Sequence, residues 1–236
     1  MKFNLTQFSK HAGKSTVLFA LLGIMASSCK QNAPAPTEIS AVSVTNASPK
    51  NVSIDFAIND QKFNYIAIPY GGDKINYFRQ TPGKLNGKVR VANDSKIIAN
   101  ANFELIQGKY HSLFIVGQAD TLVYVVAQDD LQSASNKNLA KIRFANLSSD
   151  SPSYNLELQG DTTTFKDRAF KSFTPFREVA PSKYKVLLKD KTTNAIVATL
   201  DNVEVLGGKY YTIWAKGLVN TATDAQKLGI QVTLHL

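Results

Sequence analysis

The chain has 236 residues with a formal net charge of +9, three histidines and one cysteine. An apolar share of 44% is that of a folded globular protein, which excludes a disordered class. So few cysteines and histidines, with no His-x-x-x-His spacing among them, also exclude a Cys/His zinc cluster.

In chain order, Lys2, Lys10 and Lys14 come first, then an apolar run from Val17 to Met25, then Ala26-Ser27-Ser28-Cys29. A basic start, a short apolar run and a small-residue cleavage site are the order of an export signal. The run is about half of the roughly twenty residues that cross a membrane, so no permanent span is expected. With cysteine in the first mature position, the segment resembles a bacterial lipoprotein signal, although Ala26 stands where leucine is usual. The resemblance implies lipidation of Cys29. Plain secretion would leave an unpaired thiol in an oxidising compartment. Lys30 stands where an aspartate would retain a lipoprotein in the inner membrane, so an outer membrane is expected, its periplasmic or cell-surface face left open. Residues 1–28 are thus read as the signal peptide and 29–37 as a lipid-anchored tether, extended through Ala33-Pro34-Ala35-Pro36.

Beyond the tether the chain reads as strands, twice. Ile39–Val44 alternates apolar and polar residues and ends in Thr45-Asn46-Ala47-Ser48-Pro49; Ala140–Phe144 ends in Ala145-Asn146-Leu147-Ser148-Ser149. Gly108-Lys109-Tyr110 matches Gly208-Lys209-Tyr210, and Ile54, Phe56 and Ile58 fall opposite Tyr154, Leu156 and Leu158. So many matches near one offset indicate a tandem duplication, with small compensating indels between the fixed ends. Period-two alternation marks strands at Val52–Ile58, Lys88–Val91, His111–Val116 and Leu122–Val126, then at Tyr154–Leu158, Tyr184–Leu188, Ile196–Leu200 and Tyr211–Ala215. Turn residues separate them, among them Gly71-Gly72-Asp73, Pro82-Gly83, Gly160-Asp161 and Gly207-Gly208. The fold class expected is all-β: two tandem immunoglobulin-like β-sandwich domains after the signal peptide. The boundaries are 38–131 for the first, 139–236 for the second, and a short polar linker at 132–138 that places them end to end. Asn46 and Asn146 suit the turn after the first strand, and Gly108 and Gly208 allow a positive φ before a late one.

The strand followed by Asn-x-Ser-Pro, with Gly-Lys-x-Tyr before a late strand, resembles the family known as domain of unknown function 4397. Both copies carry the pattern, with Arg143 kept in the second where the first has Ser43, and Pro49 kept in the first where the second has Ser149. The resemblance implies tandem β-sandwiches in an exported bacterial lipoprotein and carries no activity.

Chemistry-bearing residues are sparse. His111 lies within an expected strand and is read as solvent-facing; His235 stands at the C-terminus. No Gly-x-Ser-x-Gly elbow is present. Asp129-Asp130 offers fewer oxygens than the six to eight that calcium takes. Tyr65, Tyr70, Tyr77 and Phe78 surround a glycine-rich turn and are the candidate binding residues, as a sugar platform or an interface anchor. Because Tyr70 matches Phe170 and Tyr77 falls near the counterpart of Phe176, a core role is the stronger reading there. Trp214 is expected to be buried. The mature charge is uneven: from Glu38 to Leu131 basic and acidic residues balance, whereas from Asn136 onward bases exceed acids by five. The lysines are scattered, as on a solvated surface. The function expected is a non-enzymatic outer-membrane lipoprotein that binds or scaffolds, with glycan binding and an unrecognised hydrolase as rival classes. No cofactor is expected. The expected partners are the membrane through Cys29 and an envelope or extracellular protein or glycan, not nucleic acid.

Overall fold

A computed structural model describes residues 38–72, 74–118, 121–131 and 136–235. Cys29 and the tether lie outside these residues. The first copy contains β1 (Ser40–Asn46), β2 (Ser53–Ile58), β3 (Gln61–Lys62), β4 (Ile68–Pro69), β5 (Lys74–Ile75), β6 (Phe78–Gln80), β7 (Gly83–Val91), β8 (Ile97–Leu105), β9 (Tyr110–Val116) and β10 (Val123–Asp129). The second contains β11 (Ala140–Asn146), β12 (Tyr154–Leu158), β13 (Thr164–Arg168), β14 (Arg177–Val179), β15 (Ser182–Asp190), β16 (Ile196–Val205), β17 (Tyr210–Lys216) and β18 (Gly229–His235). One 3₁₀ turn, Asp224–Gln226, is the only helical element among the described residues. None of their helices is long and apolar enough to cross a membrane.

Each copy is a sandwich of two sheets. The first has an outer sheet in the order β3-β2-β7-β8 and an inner sheet β10-β9-β1-β6; the second has β13-β12-β15-β16 outside and β14-β11-β17-β18 inside. In both, the opening strand runs parallel to the late one: Val42 lies opposite His111, and Ile142 opposite Tyr211. The duplication therefore extends to backbone register.

Alternation along the strands feeds each core. Val42, Ile54, Phe56, Leu85, Leu113 and Ile115 fill the first; Ile142, Phe144, Leu156, Phe165, Val186 and Ile213 fill the second. At about 1.5–3 kcal/mol for each fully buried large side chain, these layers supply most of the drive to fold.

The inner strands are buried on both faces, which a single sandwich does not explain. Residues between the core positions, Phe114, Val116, Ala145 and Trp214, form a third apolar layer with Ala47 and Leu147. Phe114 meets the Trp214 ring at 6.3 Å and the Phe173 ring at 5.6 Å. The copies thus pack inner sheet against inner sheet, four sheets deep, and not end to end. Strand β5 of the first copy also joins the second copy's sheet, parallel to β18, with Ile75 opposite His235.

The turn residues behave as their chemistry dictates. The Asn46 amide donates to Asn51 O at 2.7 Å, and its oxygen accepts from Ser48 N at 3.1 Å. Asn146 repeats this with Pro152 O and Ser148 N. Gly108 and Gly208 have φ of 70° and 72°, a left-handed conformation that only glycine enters without strain.

Candidate functional site

The four aromatic candidates part company in the structure. Tyr65 is 100% exposed, Ile66 beside it is 85% exposed, and Phe78 is half exposed. Tyr70 and Tyr77 turn inward.

Tyr65 and Phe78 flank a groove of about 530 Å³ at the open edge of the first sandwich, lined also by Phe63, Ile66 and Ile68. One wall is Phe78 of the inner sheet's edge strand β6, and the other is the loop 63–67 with β4 of the outer sheet, over residues 44–46 of β1. Phe63 packs edge-on against Phe78 at 5.2 Å and against Phe56 of the core at 6.0 Å, tying the groove floor to the sandwich. The loop that carries Tyr65 is clamped by Asn64. Its carbonyl accepts from Phe56 N at 2.7 Å, and its amide donates to Asp55 Oδ1 at 2.8 Å and Ile66 O at 3.0 Å. The Asn64 amide, with Lys62 at 3.3 Å, holds the Asp55 carboxyl below its usual range.

The second copy shows what is special about this loop. Phe63 N bonds Phe56 O, and Phe165 lies opposite Leu156, so Phe63 and Phe165 correspond. Ile68 lies opposite Ile54, and Arg168 opposite Tyr154, so they correspond too. Four residues, Asn64–Ala67, thus occupy the stretch that Lys166 and Asp167 span in the second copy. The first copy carries a two-residue insertion, and Tyr65 and Ile66 stand at its tip. By the same register Phe78, opposite Val42, corresponds to Arg177, opposite Ile142. One edge is aromatic and its twin is cationic.

Tyr77 belongs to a second constellation, a closed ring of polar groups between the inner sheets. Arg143 and Asp129 form an ion pair at 2.6 Å, both side chains almost wholly buried. Arg143 Nε donates to Thr212 Oγ1 at 2.8 Å, and Thr212 meets His235 Nε2 at 2.7 Å. His235 Nδ1 lies 2.7 Å from the Tyr77 hydroxyl, which donates to Asp129 Oδ2 at 2.7 Å. Ser112 donates to the same carboxylate oxygen at 2.7 Å. Because Tyr77 has one proton and gives it to Asp129, His235 must donate from Nδ1. Thr212 Oγ1, which accepts from Arg143, gives its own proton to Nε2 of the neutral imidazole. Burial, with the Arg143 charge adding and Asp129 opposing, pushes its pKa down to about 3. Burial and the neighbouring Asp129 raise the Tyr77 phenol well above its ordinary value. Arg143 is also sandwiched by Phe176 and Phe173, with ring centroids at 4.8 and 5.2 Å. The contacts run from Tyr77 and Asp129 of the first copy to Arg143, Thr212 and His235 of the second, so the ring fastens the two copies.

His111 is buried, contrary to the expectation of a solvent-facing histidine. Ile106 N donates to its Nε2 at 3.2 Å. In the second copy Leu206 N donates to the Tyr211 hydroxyl at 3.0 Å, so histidine and tyrosine do one job at one position. Tyr70 is half-buried, and burial raises its hydroxyl to about 12 where it meets the Gly217 backbone of the second copy. Trp214 is fully buried and donates to Thr233 Oγ1 at 3.0 Å. Among the described residues no group of His, Cys, Asp and Glu is placed to hold a metal ion.

Comparison with known proteins places this geometry. The family described as Domain of unknown function (DUF4397) matches residues 40–157 and again residues 140–232, and the chain belongs to that family. Among solved structures, the carbohydrate-binding module CBMbc (family CBM26) of Eubacterium rectale Amy13K in complex with maltoheptaose aligns over 80% of this chain and 100% of its own. The identity is 8% and the TM-score 0.25, a likeness that says nothing of what this chain binds. No curated protein matches the sequence.

Proposed function

We propose that this DUF4397 protein is a non-enzymatic binding module of the cell envelope. Lipid on Cys29 holds it at an outer membrane, and the aromatic groove of its first copy receives an apolar segment of a protein partner. The observation that carries the reading is the pair Tyr65 and Ile66, held almost bare to solvent on an insertion that the second copy lacks. Edge strands are ordinarily guarded by charge, and the second copy's edge follows that rule with Lys166, Arg168 and Arg177. The first copy puts Ile68 and Phe78 at the matching positions, which suits an edge that a partner covers.

The choice of a protein partner rests on which polar groups are free. A sugar needs hydrogen-bond donors and acceptors beside its aromatic platform. Asn64 spends its side chain on Phe56, Asp55 and Ile66, and Asn46 spends its own on Asn51 and Ser48. Lys74 and Asn76 stand at the rim, and the rest of the lining is largely apolar. The exposed Tyr65 ring is the observation that favours glycan stacking as the second reading.

Photo-crosslinking from position 65 in cells tests both readings. A discrete protein adduct that disappears when Phe78→Ser is introduced is the expected result. Adducts no different from those of a probe at Lys183 would sink the proposal. Retardation by a neutral polysaccharide in affinity electrophoresis, abolished by Tyr65→Ser, would favour the glycan reading. Metabolic labelling with a palmitate analogue, lost in Cys29→Ala, checks the anchor.

A further inference from the structure

We propose a second binding site, at the open edge of the second copy, for an acidic saccharide carrying phosphate or carboxylate groups. It stands independently of the groove in the first copy. The site is a concavity of about 510 Å³, lined by Lys166, Arg168 and Arg177 and by Thr162, Thr164 and Thr174. That size falls within the range of ligand pockets, roughly 300–1,000 Å³, whereas a lone inorganic anion would leave most of it empty.

The two guanidinium groups are positioned by backbone. Arg168 donates from Nε to Lys166 O at 2.9 Å and from Nη1 to Phe173 O at 3.0 Å, which fixes the plane of the fork. Arg177, on the opposite wall, reaches across to Thr164 O at 3.4 Å. Neither arginine forms an ion pair with a carboxylate among the described residues. The acid on this rim, Asp167, is taken by Lys191 at 2.7 Å. Edge protection accounts for charges here, but not for a fork tied down by two carbonyls with a second arginine reaching towards it from the facing wall. Carbonyl bonds hold a guanidinium in place without neutralising it, leaving its remaining N–H groups for an anion. A planar fork matches carboxylate and phosphate oxygens in pairs, while threonine hydroxyls suit neutral sugar hydroxyls. Thr174 is buried with its Oγ1 taken by Phe144 N, but cations on both walls with the hydroxyls of Thr162 and Thr164 between them fit a sugar bearing an acidic group. Register equates Arg177 with Phe78 and Arg168 with Ile68, so the same edge of the duplicated sandwich presents opposite chemistry in the two copies.

The test uses full-length protein in neutral detergent, titrated calorimetrically with an oligogalacturonate, a mannose 6-phosphate oligosaccharide and neutral maltohexaose. The expected result is binding of one or both acidic probes and none of the neutral one, weakening as salt rises. The two acidic probes separate the carboxylate source from the phosphate source. Lys166→Ala with Arg177→Ala should weaken binding at least tenfold. Both residues are exposed, so the variant should keep the native near-ultraviolet circular dichroism. Tyr65→Ser should leave acidic-sugar binding unchanged, which separates this site from the groove. No binding of either acidic probe at low salt, equal binding of maltohexaose, or full affinity in the folded double variant would each overturn the proposal.

Discussion

Asp129 and His235 occupy one register position in the two copies: Asp129 lies opposite Tyr110 across the β9–β10 pair, and His235 opposite Tyr210 across β17–β18. The inner sheets bring these equivalent positions together, and Tyr77 bridges them with two contacts of 2.7 Å. Duplication alone would give two identical surfaces. Divergence at matching sites, Ser43 against Arg143 and Asp129 against His235, makes the pair complementary.

Removing one member of the ion pair should therefore be severe. Arg143→Ala leaves the Asp129 carboxylate buried without its cation, and losses of about 3–5 kcal/mol are typical for such a change. The partner change Asp129→Asn in the same chain should recover a large part of that loss, because no buried charge is then left. Urea denaturation of the two single variants and the double variant measures the coupling. Additive losses would contradict the ring as described.

Acidification should weaken the fold through His235. Its folded pKa of about 3 lies below the ordinary histidine value of 6.5. Between those values the unfolded chain binds a proton that the native chain refuses, so stability rises with pH across the window and falls on acidification. The groups facing the imidazole are Arg143, Asp129 and Tyr77, and Arg143 disfavours a second positive charge. From pH 7 to pH 5 the expected loss from this residue is about 2 kcal/mol. Burial also lowers His111, which adds in the same direction. The pH 7 to 5 difference in denaturation free energy should shrink by most of that amount in His235→Gln, an amide that can still accept from Thr212 and donate to Tyr77.

The insertion predicts a separable binding defect. Deleting Tyr65 and Ile66 should let Asn64 and Ala67 span the gap as Lys166 and Asp167 do in the second copy. Stability should change by no more than about 1 kcal/mol, because both deleted side chains sit in solvent. Crosslinking to a partner from a probe placed at Lys74, on the groove rim, should disappear. Asn64→Ala does the reverse: it keeps Tyr65 but removes the clamp on the loop, at a cost of about 1–3 kcal/mol for the bonds left unmade. Thermal denaturation of the two variants distinguishes them.

Strands with strong alternation were legible in the sequence, and β12 begins at Tyr154 and ends at Leu158 as its pattern predicts. Strand β8 was not, because its centre, Ala-Asn-Ala-Asn, has small and polar residues where branched or aromatic ones mark a strand. The face-to-face packing was legible only in hindsight. Leu113-Phe114-Ile115-Val116 is a continuous apolar run, the mark of a strand buried on both faces, where alternation marks burial on one. The inward turn of Tyr77 agrees with its aromatic counterpart Phe176. Nothing in the sequence set Tyr65 apart from the other aromatics around the glycine-rich turn, because the insertion that exposes it shows only in the strand register. The ring had no spacing to betray it, since its members run from Tyr77 to His235. The one signal was Arg143 inside an apolar strand, a charge in need of a buried partner.

The position shared by His111 and Tyr211 gives a prediction that uses one copy to rewrite the other. Each side chain accepts a hydrogen bond from the backbone N–H five residues before it, Ile106 for His111 and Leu206 for Tyr211. His111→Ala leaves that N–H with no side-chain partner, and a loss of about 1–3 kcal/mol follows from the desolvation of the donor. His111→Tyr supplies the acceptor found at the matching place in the second copy, so stability at pH 7 should return to within about 1 kcal/mol of the parent. It should also lessen the loss on acidification, because a phenol takes up no proton between pH 7 and pH 5. Urea denaturation of the parent and both variants at the two pH values tests this. A tyrosine variant as unstable as the alanine variant would mean that the two copies reach the same bond by different packing, and that the second is no template for the first.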